Sequence, residues 1–255
     1  MRYFWIMIER VRRMPPPPQV APGWVVAMGR LSRYIMTDFG GGPRWLTLAW
    51  IINFQKLTTI PMLLLLMHHY GNERVAAWIY LALQGSYALV WLVKDLAFPD
   101  AKFHQPATIG AGLASLITVL GWYWLLGWLM IARGGRTGYP FADAAWFSLC
   151  IGVCIVGCAI MIAADAQKYF TLRVRSGLIT DGMYRFVRHP NYLGEMLIYV
   201  SFALMIWDWL AVIVLAWIWV GFFIVNMMLV EVSLSRYPEW PEYKRRTWWL
   251  VPPLL

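Results

Sequence analysis

Long apolar segments, separated by short polar connections, predict the helices of this chain. Each clear segment is close to or above the length that a helix needs to cross the roughly 30 Å hydrocarbon core of a bilayer. Polar residues cluster at the segment ends and only rarely inside them. This pattern predicts an all-α fold, a polytopic membrane bundle with six spans. The predicted spans cover residues 43–69, 75–97, 106–132, 141–164, 190–206 and 209–232, the fourth continuing as a helix to 173.

The first 42 residues form a basic arm that is punctuated by proline and glycine, ahead of a membrane domain over 43–255. Residues 1–11 predict an interfacial helix rather than a signal peptide, because the proline run at 15–18 stops them and no small-residue cleavage site follows. The stretch 24–36 is apolar but is interrupted by Arg30 and Arg33. It is either a second interfacial helix or an extra span.

Composition supports the membrane assignment. The chain is 60% hydrophobic and 14% charged, whereas soluble domains are about a quarter charged. Its 17 Trp and 13 Tyr suit two interfacial aromatic belts. The net charge of +9 points to lipid headgroups or a phosphate-bearing ligand as partner rather than nucleic acid.

The basic residues are unevenly divided between the two predicted faces of the membrane. With six spans, one face receives only Arg74, Arg133 and Arg136, and the other receives the arm, the 165–189 connection and the tail. The positive-inside rule places that second face in the cytoplasm. We therefore expect an integral membrane protein, of the inner membrane if the source is bacterial, with its polar site facing the cytoplasm and a monomer as the simplest state.

Cysteine and histidine usage predicts no metal site, since neither HExxH nor CxxC occurs. The three cysteines, Cys150, Cys154 and Cys158, are spaced four residues apart and share one face of a helix. They cannot form good disulfides with each other, and we expect small apolar contacts instead.

Polar residues gather at the predicted cytoplasmic ends of the last spans. Arginine forks and a helix N-terminus suit phosphate, and carboxylates among them suit hydroxyl or amide groups. A basic loop that only orients the protein in the membrane would explain the arginines but not the acids and the asparagine beside apolar segments. Binding of lipid headgroups by the basic face is a further alternative and is compatible with either interpretation. The candidate binding residues are Asp165, Tyr169, Arg173, Arg188, His189, Asn191, Tyr192, Glu195, Tyr243 and Arg246. Glu231 is either a ligand contact or a helix-end charge.

A second polar group lies inside the predicted membrane core, where Gln55, Lys56 and Tyr87 are the candidate catalytic residues. Buried polar groups need partners, and donors in a dry site can polarise a carbonyl oxygen. The alternative is a helix–helix hydrogen bond for Gln55 and a snorkelling Lys56. The adjacent Lys94 and Asp95 predict a local charge pair, and the third span predicts scaffold only.

Two motifs resemble a known group of enzymes. The sequence Arg-His-Pro-Asn-Tyr-Leu-Gly-Glu over 188–195, preceded by Asp-Gly-Met-Tyr-Arg-Phe-Val, is one, and the Tyr- and Trp-rich tail over 237–252 is the other. Both resemble the steroid 5-alpha-reductase family, within a superfamily shared with sterol reductases and isoprenylcysteine methyltransferases. Asn191 and Glu195 favour the reductases, because the methyltransferases tend to have other residues there.

The resemblance implies a seven-span fold and NADPH as cofactor, with hydride transfer to the delta-4 double bond of a 3-oxo steroid or similar enone lipid. It places Asn191 and Glu195 at the nicotinamide, and Asp165, Tyr169, Arg173, Tyr243 and Arg246 at the ribose and phosphates. Gln55 and Tyr87 would hold the keto oxygen, with Lys56 standing where the family has glutamate. Two alternatives stay open: an S-adenosylmethionine-dependent lipid or isoprenylcysteine methyltransferase, and a lipid-binding protein without enzymatic activity.

Overall fold

The computed structural model describes residues 20–134 and 138–251, and the regular structure there is almost entirely helical. The predicted helix at residues 1–11 lies outside these ranges. The eight helices of the described ranges are α1 (Gly23–Arg33), α2 (Leu48–Tyr70), α3 (Val75–Ala97), α4 (Ile109–Ala132), α5 (Asp143–Val174), α6 (Pro190–Ile206), α7 (Trp209–Leu234) and α8 (Trp240–Arg246).

Short irregular pieces complete these elements. One π-helical turn extends α1, and two more interrupt α4 and α7: these are Tyr34–Asp38, Leu116–Leu120 and Trp219–Ile224. The strands β1 (Leu46–Thr47) and β2 (Pro106–Ala107) pair antiparallel before α2 and α4. A 3-10 turn, Gly182–Tyr184, lies in the connection between α5 and α6.

Five helices, α2, α3, α4, α5 and α7, are long and apolar enough to cross a membrane, and α6 is a shorter apolar helix. The prediction of an all-α helical membrane protein is therefore confirmed, whereas the count of six or seven spans stays a prediction. The 32 residues of α5 extend to about 48 Å at helical rise. That exceeds a bilayer core, as expected from the predicted continuation of this helix to residue 173.

Capping residues explain where several helices begin and end. The Thr47 side chain accepts a hydrogen bond from the Trp50 N–H at the start of α2. Gly71 ends the same helix in the left-handed conformation, with φ of 58°, which glycine adopts without strain. Pro190 occupies the first turn of α6, where its missing N–H is not needed.

The helices α5 and α6 approach each other backbone to backbone through two glycines. A Cβ atom on Gly194 would lie 2.5 Å from the Met161 nitrogen and 2.7 Å from the Gly157 oxygen. Small residues permit this kind of close crossing in membrane helices. The contact fixes the start of α6, which carries Asn191 and Glu195, against the long helix α5.

The first and last described segments pack against this half of the bundle. Val25 of α1 packs with Val225 of α7 in a small separate core, so at least this part of the arm belongs to the folded body. Trp248 follows α8 and bonds to the connection that precedes α6. The Arg188 N–H donates to the Trp248 oxygen at 2.9 Å, and the Trp248 N–H donates to the Phe186 oxygen at 2.8 Å. The tail is therefore joined to the connection that precedes α6.

Candidate functional site

A single cavity of about 310 Å³ unites most of the candidate residues from both groups. Its walls come from α2, α3, α4, α5, α6 and α7 and from the connection that precedes α6. The two groups that the sequence presents separately therefore face one space. The candidate residues that line it are Lys56, Tyr87, Asp165, Arg188, His189, Asn191, Tyr192, Glu195 and Tyr243.

Lys56 occupies an aromatic box at the α2 side of the cavity. Its Nζ lies 4.3 Å from the ring centroid of Tyr87, 5.1 Å from that of Tyr123 and 5.6 Å from that of Trp91. Lys56 is 5% exposed, and it forms no ion pair or hydrogen bond within residues 20–134 and 138–251. The snorkelling alternative is therefore wrong, because the side chain is buried among rings rather than extended toward an interface.

Tyr87 is hydrogen-bonded to a tyrosine that the sequence analysis did not select. The hydroxyls of Tyr87 and Tyr199 are 2.8 Å apart, and the Tyr199 ring stacks on Tyr123 at 4.6 Å and 15°. All three side chains are buried. This packing fixes the orientation of the Tyr87 ring, over whose face the Lys56 nitrogen lies.

Asn191 and Glu195 lie one turn apart at the start of α6 and line the same cavity. Neither side chain has a hydrogen bond or ion pair with another residue that the structure describes. Both residues are partly exposed and line the space of the cavity. The pair is thus free to accept and donate hydrogen bonds to a bound molecule.

The charge pair predicted between Lys94 and Asp95 is wrong. Lys94 instead forms an ion pair with Asp165 of α5, with Nζ and Oδ2 2.7 Å apart. Asp95 accepts hydrogen bonds from Asn53 at 2.8 Å and pairs with His104 at 2.9 Å. Adjacent helical residues point in different directions, so each finds its partner on another element.

Two further contacts close the wall where the α3–α4 connection meets α5 and α7. Lys168 pairs with Asp100 at 2.9 Å, and Lys102 donates to the Asn226 side-chain oxygen at 2.9 Å. Burial alone would raise the pKa of Asp100, but Lys168 outweighs burial, and the pKa is lowered. Burial lowers the pKa of Lys102.

Arg188 is engaged mainly by the protein itself. Its Nε donates to Glu231 at 2.6 Å, and one terminal nitrogen donates to the backbone oxygens of Lys244 and Thr247 at 3.1 and 2.5 Å. His189 lies 3.5 Å from the same Glu231 carboxylate, yet burial lowers the pKa of this histidine. Glu231 therefore anchors the tail and the start of α6, and a role in binding a ligand stays a prediction for all three.

Five candidates lie outside the wall of the main cavity. Gln55 donates a hydrogen bond to Thr59 of its own helix at 3.2 Å. The alternative prediction, a hydrogen bond from Gln55 to another helix, is therefore wrong for this donor. Tyr169 and Arg173 bond to each other at 2.9 Å. Glu231 forms the anchor described above, and Arg246 lines a neighbouring polar pocket of about 450 Å³ together with Tyr243, which borders both cavities.

Sequence reasoning missed several residues of this cavity. The third span was expected to be scaffold, but it supplies Tyr123 to the wall. Tyr199 lies one turn beyond Glu195, and Lys94 lies two turns beyond Tyr87. Positions at these spacings share a helix face. The face that carries Glu195 could therefore have indicated Tyr199, and the face that carries Tyr87 could have indicated Lys94.

The three cysteines of α5 are free. Cys150 and Cys154 are buried in the main core and Cys158 packs against it. They serve the packing of α5 and lie outside the cavity walls.

Comparison with known proteins places the chain in a family. A family described as "Protein of unknown function (DUF1295)" matches residues 114–247, slightly more than half of the chain. The matched range contains α5, α6 and α7 with their cavity residues. No curated protein matches the chain. The chain therefore belongs to the DUF1295 family, and through it to the steroid 5-alpha-reductase-like superfamily.

Proposed function

We propose that the protein is a membrane-embedded reductase that uses NADPH to reduce the delta-4 double bond of a 3-oxo steroid or a similar enone lipid. One observation carries this proposal. One cavity is lined by a cation without a counter-ion in contact, Lys56, over the ring of Tyr87, and by an amide and a carboxylate without protein partners, Asn191 and Glu195, on α6. A carbonyl oxygen suits the first pair, and an amide-bearing cofactor suits the second.

The residues present fit a nicotinamide cofactor. The carboxamide group has both donors and acceptors, and Asn191 and Glu195 together offer both without losing a bond to the protein. Arg246 and Tyr243 line the adjoining polar pocket together with Glu239 and Glu242; the arginine fork suits phosphate, and the carboxylates suit hydroxyl groups of a ribose. When bound, the cofactor would supply the hydride that the reaction needs.

The chain's own residues would bind and polarise the substrate. Tyr87 would donate its hydroxyl proton toward the carbonyl oxygen, with Tyr199 fixing its orientation through the 2.8 Å hydrogen bond. The positive charge of Lys56 would stabilise the negative charge that develops on that oxygen. Apolar wall residues such as Ile52, Leu120 and Phe223 would hold the hydrocarbon body and exclude water. By the charge distribution, the cofactor would enter from the cytoplasm.

Turnover by the purified full-length protein tests the proposal. The protein in detergent is mixed with NADPH and testosterone, and both NADPH oxidation and the saturated ketone are measured. We expect product with wild-type protein, and a kcat lower by about 10²–10³ with Tyr87→Phe, the effect of losing one oxyanion donor. Tyr80→Phe is the matched control, because Tyr80 is buried on the same helix but does not line the cavity.

Thermal stabilisation separates the other functions. A ligand that binds only the folded state raises the unfolding temperature, so NADPH should stabilise the wild type and should stabilise Asn191→Ala less. Stabilisation by S-adenosylmethionine and not by NADPH would instead identify a methyltransferase. Stabilisation by neither cofactor, with Asn191→Ala altering stability alone, would identify a lipid-binding protein.

A further inference from the structure

We propose that Lys56 is a covalent catalyst, whose amine forms an iminium with the ketone carbonyl of the substrate. The inference rests on the proposed function for the class of substrate, a ketone, but the covalent step needs no nicotinamide. It assigns to Lys56 a chemical role beyond charge stabilisation.

Lys56 differs from the other four lysines in having no acid or amide partner in the described ranges. Lys94 pairs with Asp165 and Lys168 with Asp100. The remaining two, Lys102 and Lys244, contact the Asn226 amide oxygen and the Glu231 carboxylate. A lysine fixed by a carboxylate stays charged and cannot attack a carbonyl. Lys56 is the one cavity amine whose nitrogen is not already engaged in this way.

The environment of Lys56 also favours a nucleophilic amine. Removing an unpaired ammonium from water is costly, and the ring faces around Lys56 offset that cost only in part. The nearby Lys94 nitrogen, 4.4 Å from the centroid of Trp91, does not compete for this role, because Asp165 holds it in an ion pair. A lysine that is desolvated in an apolar pocket is a recognised Schiff-base nucleophile.

The cavity also holds groups that can move the protons of the step. The Lys56 ammonium first gives a proton to the Glu195 carboxylate, and the resulting amine attacks the carbonyl carbon: a C–N bond forms, the C=O π bond breaks, and the oxygen takes the proton back from Glu195. The nitrogen then gives a second proton to Glu195, which passes it to the hydroxyl of the carbinolamine, so that the C–O bond breaks, water leaves, and an iminium remains. Ketone plus ammonium thus gives iminium plus water, without oxidant or reductant, and hydrolysis reverses it.

The aromatic box suits the product of this step. The iminium retains one positive charge at the former Lys56 nitrogen, between the faces of Tyr87, Tyr123 and Trp91. Ring faces attract such a cation without neutralising it, so the conjugated double bond stays electron-poor and ready to accept a hydride. The inference restricts substrates to ketones and aldehydes and excludes esters, amides and carboxylic acids.

Borohydride trapping tests the inference directly. Full-length protein in detergent is incubated with testosterone, or with cyclohex-2-enone as a small probe, without nicotinamide, and sodium borohydride is added. Mass spectrometry of the digest should show a modified Lys56 peptide, heavier by the ketone less one oxygen atom. The peptides with Lys94, Lys102, Lys168 and Lys244 are internal controls and should stay unmodified. Lys56→Arg should abolish the adduct, since its guanidinium keeps the charge but is not a nucleophile.

Absence of a Lys56 adduct with both ketones, or equal labelling of all lysines, would overturn the inference. Full NADPH-dependent turnover by Lys56→Arg would overturn it as well, and the proposed function would stand. A specific adduct without any NADPH-dependent turnover would support the inference and contradict the proposed function. Trapping on the wild type needs no variant, so the result holds even if Lys56→Arg fails to fold.

Discussion

Lys94 of α3 and Asp165 of α5 form an ion pair with Nζ and Oδ2 2.7 Å apart, and their side chains are only 6% and 10% exposed. The pair joins two predicted spans across the wall of the cavity. It also supplies the Lys94 nitrogen with the counter-ion that Lys56 lacks. The electrostatic difference between these two lysines underlies the chemistry proposed for the site.

Removing one partner of the Lys94–Asp165 pair should destabilise the fold strongly. Asp165→Ala leaves a buried ammonium without its counter-ion, which costs about 3–5 kcal/mol. The double variant Lys94→Met with Asp165→Leu should recover most of that loss, because no buried charge remains. The free energies of unfolding of the wild type and the variants, measured in detergent, test this expectation. The exposed Arg175–Asp181 pair is the control, and Arg175→Ala should change stability by about 1 kcal/mol or less. Equal effects of the two alanine variants would contradict the expectation.

Gly194→Ala should separate α5 from α6. The new Cβ would lie 2.5 Å from the backbone nitrogen of Met161, and backbone cannot move aside as a flexible side chain can. Overpacking of this kind costs about 1–3 kcal/mol, measured as a lower unfolding temperature. Gly152 on α5 is the matched control, since nothing lies within 4 Å of a Cβ there. Gly152→Ala should stabilise the protein by about 0.5–1 kcal/mol through helix propensity. A lower unfolding temperature in both variants would show that the close approach of α5 and α6 is not the cause of the loss.

Local signals explain why the helices could be predicted from the sequence. The predicted spans 75–97 and 190–206 coincide with α3 and α6, because apolar length and the breakers beside it, Gly71 and Pro190, act within a few residues. Such local signals do not predict which side chains pair between different helices. Asp165 is distant from Lys94 in the chain, and only the rotation of α3 and α5 about their axes decides whether Lys94 or Asp95 faces it.

The site was predictable to the extent that its residues share helix faces. The i, i+4 pair of Asn191 and Glu195 was selected as cofactor-binding, and both line the cavity because they project from one face of α6; the binding role itself stays a prediction. The surroundings of Arg188 were not predicted, since an arginine fork suits backbone carbonyls as well as phosphate. The acceptors that it contacts, on Lys244 and Thr247, lie in a tail whose path depends on the folded bundle.

Acidification should destabilise the protein through His189. Burial lowers the pKa of this histidine from the value of about 6.5 found in unfolded chains. Below that pH the unfolded state binds more protons than the folded one, so stability falls as the pH drops and is retained above it. His189→Gln should flatten the fall in unfolding temperature between about pH 7.5 and 5.5, a window that brackets the unfolded pKa. His68→Gln, at an exposed position, should leave the wild-type slope in place. An unchanged slope in His189→Gln would assign the pH dependence to other groups.

Tyr199→Phe should slow the proposed reduction without weakening cofactor binding. The variant removes the 2.8 Å hydrogen bond to Tyr87 and keeps the ring that stacks on Tyr123. A hydrogen bond contributes about 0.5–1.5 kcal/mol, so kcat should fall about two- to tenfold, with an unchanged KM for NADPH. Tyr80→Phe matches it as a control, since the Tyr80 hydroxyl is buried without a partner in the described residues; its kcat should equal the wild type. Tyr199 acts here by positioning Tyr87, so adding Tyr199→Phe to Tyr87→Phe should bring no further loss. An additive loss in the double variant, or a changed KM, would show that Tyr199 contacts substrate or cofactor itself.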